Sequence, residues 1–167
     1  MPDALADLHD EIAALLPRLR RFGRSLTGSR EDADDLVQVA LERALVHAAQ
    51  WQPGTRLDSW LFRIAQNAWF DELRARRRRA ETLLPQEAGE LVGVDERGAQ
   101  DDAIALRQAM AMLGDEQRAA VALVLVEGLS YKEAAAVLEI PIGTLTSRLA
   151  RAREALQAVL GDGEGGR

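Results

Sequence analysis

The sequence contains no cysteine, which excludes a disulfide scaffold and a thiolate metal site. Its two histidines, His9 and His47, stand far apart and make a poor ligand set, so no metal centre is expected. No apolar run approaches the roughly 20 residues that a membrane span needs. The opening "MPDALADLHDEIAALL" also lacks the basic flank of a signal peptide. A cytoplasmic protein without membrane insertion is therefore expected. Glycine-rich phosphate loops and histidines beside a nucleophile motif are missing too, so no enzyme, cofactor or small-molecule substrate is expected. Lysine is reduced to Lys132, and arginine carries almost all the positive charge.

What is present is a chain of 167 residues, 47% hydrophobic and 29% charged, enough for one ordinary domain or two small ones. Its formal charge of -6 is unevenly spread. Residues 1–79 hold 13 basic and 12 acidic groups, 103–167 hold 7 and 8, and the short stretch 80–102 holds 1 and 7. Overall acidity thus says little about nucleic-acid binding, because local fields act over a Debye length of only about 8 Å. The acidic stretch also carries Pro85, Gly89, Gly93 and Gly98 without helical periodicity, and reads as a flexible linker. Fully extended, it would reach about 75 Å.

On either side of it the periodicity is helical, and an all-α fold of five to eight helices in two clusters is expected. The first helix runs from about Leu5 towards Leu26, bent or divided near Pro17. Ser29 with Asp32 is a capping pattern that opens a second helix to about His47. "QPGTRLD" reads as a loop, and a third helix spans about Ser59 to Arg79. Beyond the linker, Ala103–Met112 and Asp115–Glu127 read as helices, the latter closed by Gly128. Ser130 and Glu133 form a capping box on a short helix that can turn Ala134, Ala135 and Leu138 inward. A turn at Glu139–Pro141 leads into a last helix with Leu145, Leu149, Ala152 and Leu156 on one face. Two helices joined by so short a turn make a helix-turn-helix, whose second helix enters a major groove by its N-terminal part.

On that last helix Thr144, Arg148 and Arg151 lie on one flank, Thr146 and Arg153 on the other, with Ser147 between them. Arginine pairs with a guanine edge or holds phosphate, and short hydroxyls reach either. A solvated basic face on a helical bundle is the alternative. The third helix is less ordinary. Leu61, Ile64, Ala65, Ala68, Trp69 and Leu73 form its apolar face, leaving Arg63, Asn67, Phe70 and Arg74 aligned opposite. Five of the seven aromatics, Trp51, Trp60, Phe62, Trp69 and Phe70, fall within 20 residues of one another, next to Arg74 and Arg76–Arg79. Rings beside guanidinium groups suit single-stranded nucleic acid, whose bases stack and whose backbone needs neutralising. For Phe62 and Trp69 a place in the core is the preferred reading.

The segments "DADDLVQVALERAL", "SWLFRIAQNAWFDELRARRRR" and "LSYKEAAAVLEIPIGTLTSRLARAREAL" resemble, in order and spacing, the extracytoplasmic-function (ECF) sigma factors of bacterial RNA polymerase. The resemblance runs from about Leu16 to Leu160. It implies a sigma region 2 domain at 1–79, a linker at 80–102 and a region 4 domain at 103–167. Asp34, Asp35, Gln38 and Glu42 would then dock on the β′ clamp helices of the core polymerase, which is also engaged through its β subunit; Val39 stands where the family often has an acidic residue. Arg56, Asp58, Trp60, Arg63, Asn67, Phe70 and Arg74 would meet the separated strand of the promoter -10 element. Arg76, Arg77, Arg78 and Arg79 would hold phosphate. Thr144, Thr146, Ser147, Arg148 and Arg151 would read the -35 element, with Thr146 at a position where relatives carry arginine or lysine. "WQPGTRLDSWLFRIAQN" is similar to the general-stress-response sigma factors of alphaproteobacteria, which implies a small anti-sigma protein as partner, released by a phosphorylated sigma-mimicking regulator. A decoy that sequesters such an anti-sigma protein and a helix-turn-helix repressor are the alternative readings.

Overall fold

The computed structural model describes residues 3–82 and 101–161, and it contains helices and turns but no strand among them. Seven α-helices follow in chain order: α1 Asp3–Thr27, α2 Arg30–Val46, α3 Leu57–Thr82, α4 Asp101–Ala111, α5 Asp115–Val121, α6 Tyr131–Leu138 and α7 Ile142–Gly161. A short 3-10 turn, Ala48–Gln50, follows α2, and a π-helical turn, Ala122–Val126, continues α5. Most of the proposed linker lies outside the described residues, although α3 extends to Thr82, three residues into it.

The capping signals act as expected. The Ser29 hydroxyl accepts from the Asp32 amide at the start of α2. At α6 the Ser130 hydroxyl accepts from the Glu133 amide at 3.1 Å while the Glu133 carboxylate accepts from the Ser130 amide at 3.0 Å, so two otherwise unpaired donors are satisfied reciprocally. Glu139, with φ 55°, ends α6 in the left-handed conformation and directs the chain through Pro141 into α7.

The structure adjusts two expectations. Of the two outcomes expected at Pro17, bending or division, division does not occur: α1 is one helix through it. Pro17 and Ala13, whose carbonyl loses its helical donor there, both lie exposed, so water can take the missing partner's place. Meanwhile Leu8, Ile12, Leu19 and Phe22 hold both ends of the helix against the core. The helix expected from Asp115 to Glu127 leaves α geometry at Ala122: the Glu127 amide donates to the Ala122 carbonyl at 2.9 Å, spanning five residues instead of four. Gly128, at φ +74°, then reverses the chain.

Helices α1 to α3 enclose Leu19, Phe22, Leu26, Leu61 and Phe62, and the Phe22 and Phe62 rings meet at 4.8 Å. Gly23 lets α2 approach closely, since a Cβ there would sit 3.4 Å from the Ala33 carbonyl oxygen. Helices α4 to α7 enclose Leu123, Val137, Leu145 and Leu149. Burying each of these large side chains contributes about 1.5–3 kcal/mol, which is realised only as the helices pack on one another. The two clusters do not stand apart: α1 packs on α5 and its π-turn, α3 packs on α6, and the buried apolar residues form one continuous core.

Candidate nucleic-acid interface

Helix α3 supplies the aromatic and basic face. Leu61, Phe62, Ala65, Ala68 and Trp69 are buried, Ile64 and Leu73 are half-buried against the core, and the opposite side carries the row Arg63, Asn67, Phe70 and Arg74. Asn67 is exposed, and its Oδ1 accepts a 2.7 Å bond from Gln66 Nε2, so the donors of its amide nitrogen are the part of the side chain not used in that bond. Phe70 is half-buried and lines a shallow groove with Leu73, Arg74, Arg77 and Asp115. Trp60 is half-buried.

The predicted loop residues lie differently. α3 begins at Leu57, two residues earlier than expected, so Asp58 stands in its first turn and is buried. Its Oδ1 accepts from the Ser59 amide at 2.7 Å and from Arg56 Nε, and its Oδ2 accepts from Arg56 at 2.6 Å and Arg18 at 2.9 Å. Burial opposes ionisation of Asp58, but the bonds from Arg56, Arg18 and the Ser59 amide outweigh it and hold the carboxyl at about 2. Arg56 also pairs with Glu133 of α6 at 2.5 Å, and Arg63 donates to the Ala136 carbonyl at 2.7 Å and faces Glu139 at 3.9 Å. Asp58 and Arg56 are therefore parts of a fixed charge network.

The arginine run at the end of α3 is mostly engaged by carboxylates of the same chain. Arg74 pairs with Asp71, which also meets Arg43 at 3.0 Å. Arg76 reaches Asp32 at 2.8 Å and Glu72 at 3.0 Å and lies 5.2 Å from the Trp69 ring centre. Arg77 meets Asp115 and Arg79 meets Glu72, each at 3.1 Å. Arg78 is exposed and has no ion pair within 4.0 Å among the described residues.

Asp34, Asp35, Gln38 and Glu42 are all exposed on α2. Asp35 lines a groove between α2 and α3 with Leu36, Val39, Trp69, Arg76 and Arg78, in which the 38% exposed Val39 contributes an apolar floor.

In the helix-turn-helix, Ala134, Ala135, Val137 and Leu138 of α6 pack on Leu145, Leu149 and Ala152 of α7. This orients Thr146, Ser147 and Arg151 outward. The Thr146 and Ser147 hydroxyls donate back to the Ile142 and Gly143 carbonyls at 2.9 and 3.0 Å, while their lone pairs stay open. Thr144 is half-buried, Arg148 is held at 3.3 Å from Glu116, and Arg153 donates to the Tyr131 hydroxyl at 3.1 Å.

Sequence reasoning missed Glu127. Its side chain is wholly buried, and both its oxygens are taken by a fork from Arg21 at 2.9 and 2.8 Å, with Arg18 adding a bond at 3.3 Å. The only local signal was a carboxylate closing the apolar run "AAVALVLV"; its partners lie more than a hundred residues away.

Comparison with known proteins matches residues 12–66 to the Sigma2 domain of PhyR and residues 103–156 to sigma-70 region 4. The chain is 40% identical to the ECF RNA polymerase sigma factor EcfG of Rhodopseudomonas palustris, over 92% of this chain and 84% of that protein. It is 39% identical to the ECF RNA polymerase sigma factor SigM of Mycobacterium tuberculosis, over 86% of this chain and 72% of that one. Its fold matches the sigma factor RpoE, solved in complex with the anti-sigma factor NepR from Bartonella quintana, with a TM-score of 0.78 and 33% identity over 93% of this chain and 97% of that chain. It also matches CnrH, solved with the cytosolic domain of CnrY, with a TM-score of 0.66 and 25% identity over 94% of this chain and 88% of that chain.

Proposed function

Because the chain belongs to the ECF family of RNA polymerase sigma factors, we propose that it binds core polymerase, directs it to promoters and promotes strand opening there. Residues 1–79 then act as region 2, with Asp34, Asp35, Gln38 and Glu42 of α2 docking on the β′ clamp helices. The α3 row of Arg63, Asn67, Phe70 and Arg74 receives the separated -10 strand. Residues 103–167 act as region 4, where the first turns of α7 present Thr144, Thr146, Ser147, Arg148 and Arg151 to the -35 duplex. Extruding a base from the stack costs a few kcal/mol, and the exposed Asn67 amide can recover part of it at a base edge. The protein itself catalyses nothing; it supplies recognition and binding energy to the polymerase.

What supports this reading is that one chain carries two exposed basic faces of different character. Arginines and an aromatic on α3 suit unstacked bases, and the helix-turn-helix suits a duplex groove. A repressor needs only the second. By likeness to RpoE, whose structure was solved with NepR, we assign a small anti-sigma protein as regulatory partner, within the general stress response. The test is run-off transcription with core enzyme on genomic promoter fragments, and initiation above core alone is expected. No initiation on any of them refutes the reading. The match of residues 12–66 to the Sigma2 domain of PhyR favours a second reading, a decoy that captures an anti-sigma protein; a decoy binds that partner yet yields no transcript.

A further inference from the structure

Gln66 is one of three buried polar or charged side chains among the described residues, and the other two, Asp58 and Glu127, are carboxylates held by arginines. It is 3% exposed and lies on the apolar side of α3, one helical turn from Phe62 and from Trp69, which are both buried. Its Nε2 donates to Asn67 Oδ1 at 2.7 Å, while its Oε1 has no hydrogen-bond partner among the described residues. A buried amide with an unpaired oxygen weakens a fold, and an apolar side chain of similar size would avoid that penalty. Packing alone therefore does not account for an amide at this place.

We propose that Gln66 is a positioning residue: it fixes which end of the Asn67 amide meets a base, so that the α3 face selects guanine or cytosine over adenine. This rests on the assignment of Asn67 to the separated strand given above. An unrestrained asparagine offers a donor and an acceptor side by side, the combination that pairs with the amino group and N7 of adenine. In this chain Oδ1 is tied to a buried group, and the N–H donors are what Asn67 has left to offer.

Donors without an acceptor beside them suit a base edge on which two acceptors adjoin. Guanine has such an edge at O6 and N7, and cytosine has one at N3 and O2. On adenine, N1 and N7 both flank the amino group, which would face the Asn67 amide nitrogen donor against donor. Thymine stands between, because a ring N–H separates its two carbonyls. The bond from Gln66 also orders Asn67 before a strand arrives, which removes part of the entropy lost on binding. Phe62 and Trp69 in turn restrict the Gln66 side chain, so the orientation is backed by the core.

The test uses the full chain bound to core polymerase, with core alone as background, and labelled thymidine oligodeoxynucleotides carrying a single central guanine, cytosine or adenine. Anisotropy titrations of the wild type should give about tenfold tighter binding of the guanine or the cytosine strand than of the adenine strand, and the two favoured strands, measured separately, tell which edge is taken. Gln66→Met and Gln66→Leu, two apolar replacements, should reduce that ratio to about twofold or less, chiefly by strengthening the adenine complex, while affinity for the unsubstituted thymidine strand changes little. Because each ratio is taken on one protein, any unfolded fraction cancels from it. In an Asn67→Ala background the same two substitutions should alter the ratio no further, since Gln66 acts through Asn67 alone. A wild-type preference for adenine overturns the proposal, as does a wild-type ratio in both Gln66 variants, with Asn67 keeping its role. An effect of Gln66→Met that persists undiminished without the Asn67 side chain overturns it too, and makes Gln66 a packing residue. If Asn67→Ala alone retains the wild-type ratio, the inference falls together with the assignment of Asn67 on which it rests.

Discussion

Arg76 and Arg78 sit two residues apart in one basic run, yet their surroundings assign them different work. Arg76 bridges Asp32 of α2 and Glu72 of α3 and lies over Trp69. Two partly exposed pairs at about 0.2–1 kcal/mol each, with a cation–π contact of about 0.5–1 kcal/mol, sum to roughly 1–3 kcal/mol, of which only the Asp32 pair ties α3 to α2. Arg76→Ala should accordingly lower the melting temperature by roughly 2–12 °C. Arg78 is exposed and free of carboxylates within 4.0 Å among the described residues, so it is available to phosphate. If it neutralises one phosphate, Arg78→Ala should reduce the slope of log affinity against log salt by about 0.9 on duplex DNA or about 0.7 on a single strand. Raising salt fourfold, from about 50 to about 200 mM, should then weaken the variant less than the wild type by a factor of about 3.5 or about 2.6, respectively. Anisotropy titrations of the polymerase-bound protein on a promoter fragment, read beside thermal melts of the free protein, measure both quantities. The reasoning fails if Arg76→Ala flattens the salt slope as much as Arg78→Ala does while melting like the wild type.

Three further outcomes are expected. Asn67→Ala should cut open-complex formation on duplex promoters about tenfold, the equivalent of one or two hydrogen bonds to an extruded base, as read by permanganate reactivity; an equal loss of affinity for core enzyme would refute its role. Asp58, held at about 2 against an ordinary 3.8, contributes stability that is complete above about pH 4 and is lost as pH falls through about 2. The difference in melting temperature between wild type and Asp58→Asn should therefore shrink across that window, and a gap that stays constant on acidification contradicts the network. Gly128 has φ +74° with open space where a Cβ would stand, so Gly128→Ala should cost about 1–2 kcal/mol from backbone conformation alone. Gly143→Ala on α7, also in open space but without a positive φ, should be neutral or stabilising by up to about 1 kcal/mol; equal destabilisation of the two in denaturant titrations would remove the conformational explanation.

The helices and the helix-turn-helix were legible because their signals are local. Ser29 caps Asp32, and Ser130 and Glu133 complete a box within four residues. The alternation of Leu61, Ala65, Ala68 and Trp69 against Arg63, Asn67, Phe70 and Arg74 follows from a 3.6-residue period. The aromatics expected in the core, Phe62 and Trp69, are there. Pro17 does not divide α1, because packing on both sides and an exposed, hydratable carbonyl offset the lost hydrogen bond. The π-turn at Ala122–Val126 escaped notice because an apolar run has the same pattern in either helical geometry.

By itself the sequence determined that the chain is helical, roughly where most helices lie, which faces are apolar, and that two basic helical faces of different composition share one chain. Those properties arise from caps, periodicity and residue chemistry over a few residues. Only the tertiary structure decided that the two clusters share one core, that Asp58 is a buried anchor, that Arg76 braces α2 against α3 while Arg78 has no ion pair among the described residues, and that Glu127 is buried between Arg18 and Arg21. The physical reason is distance along the chain: a carboxylate is only a charge in the sequence, and its partner is chosen by which helices pack together.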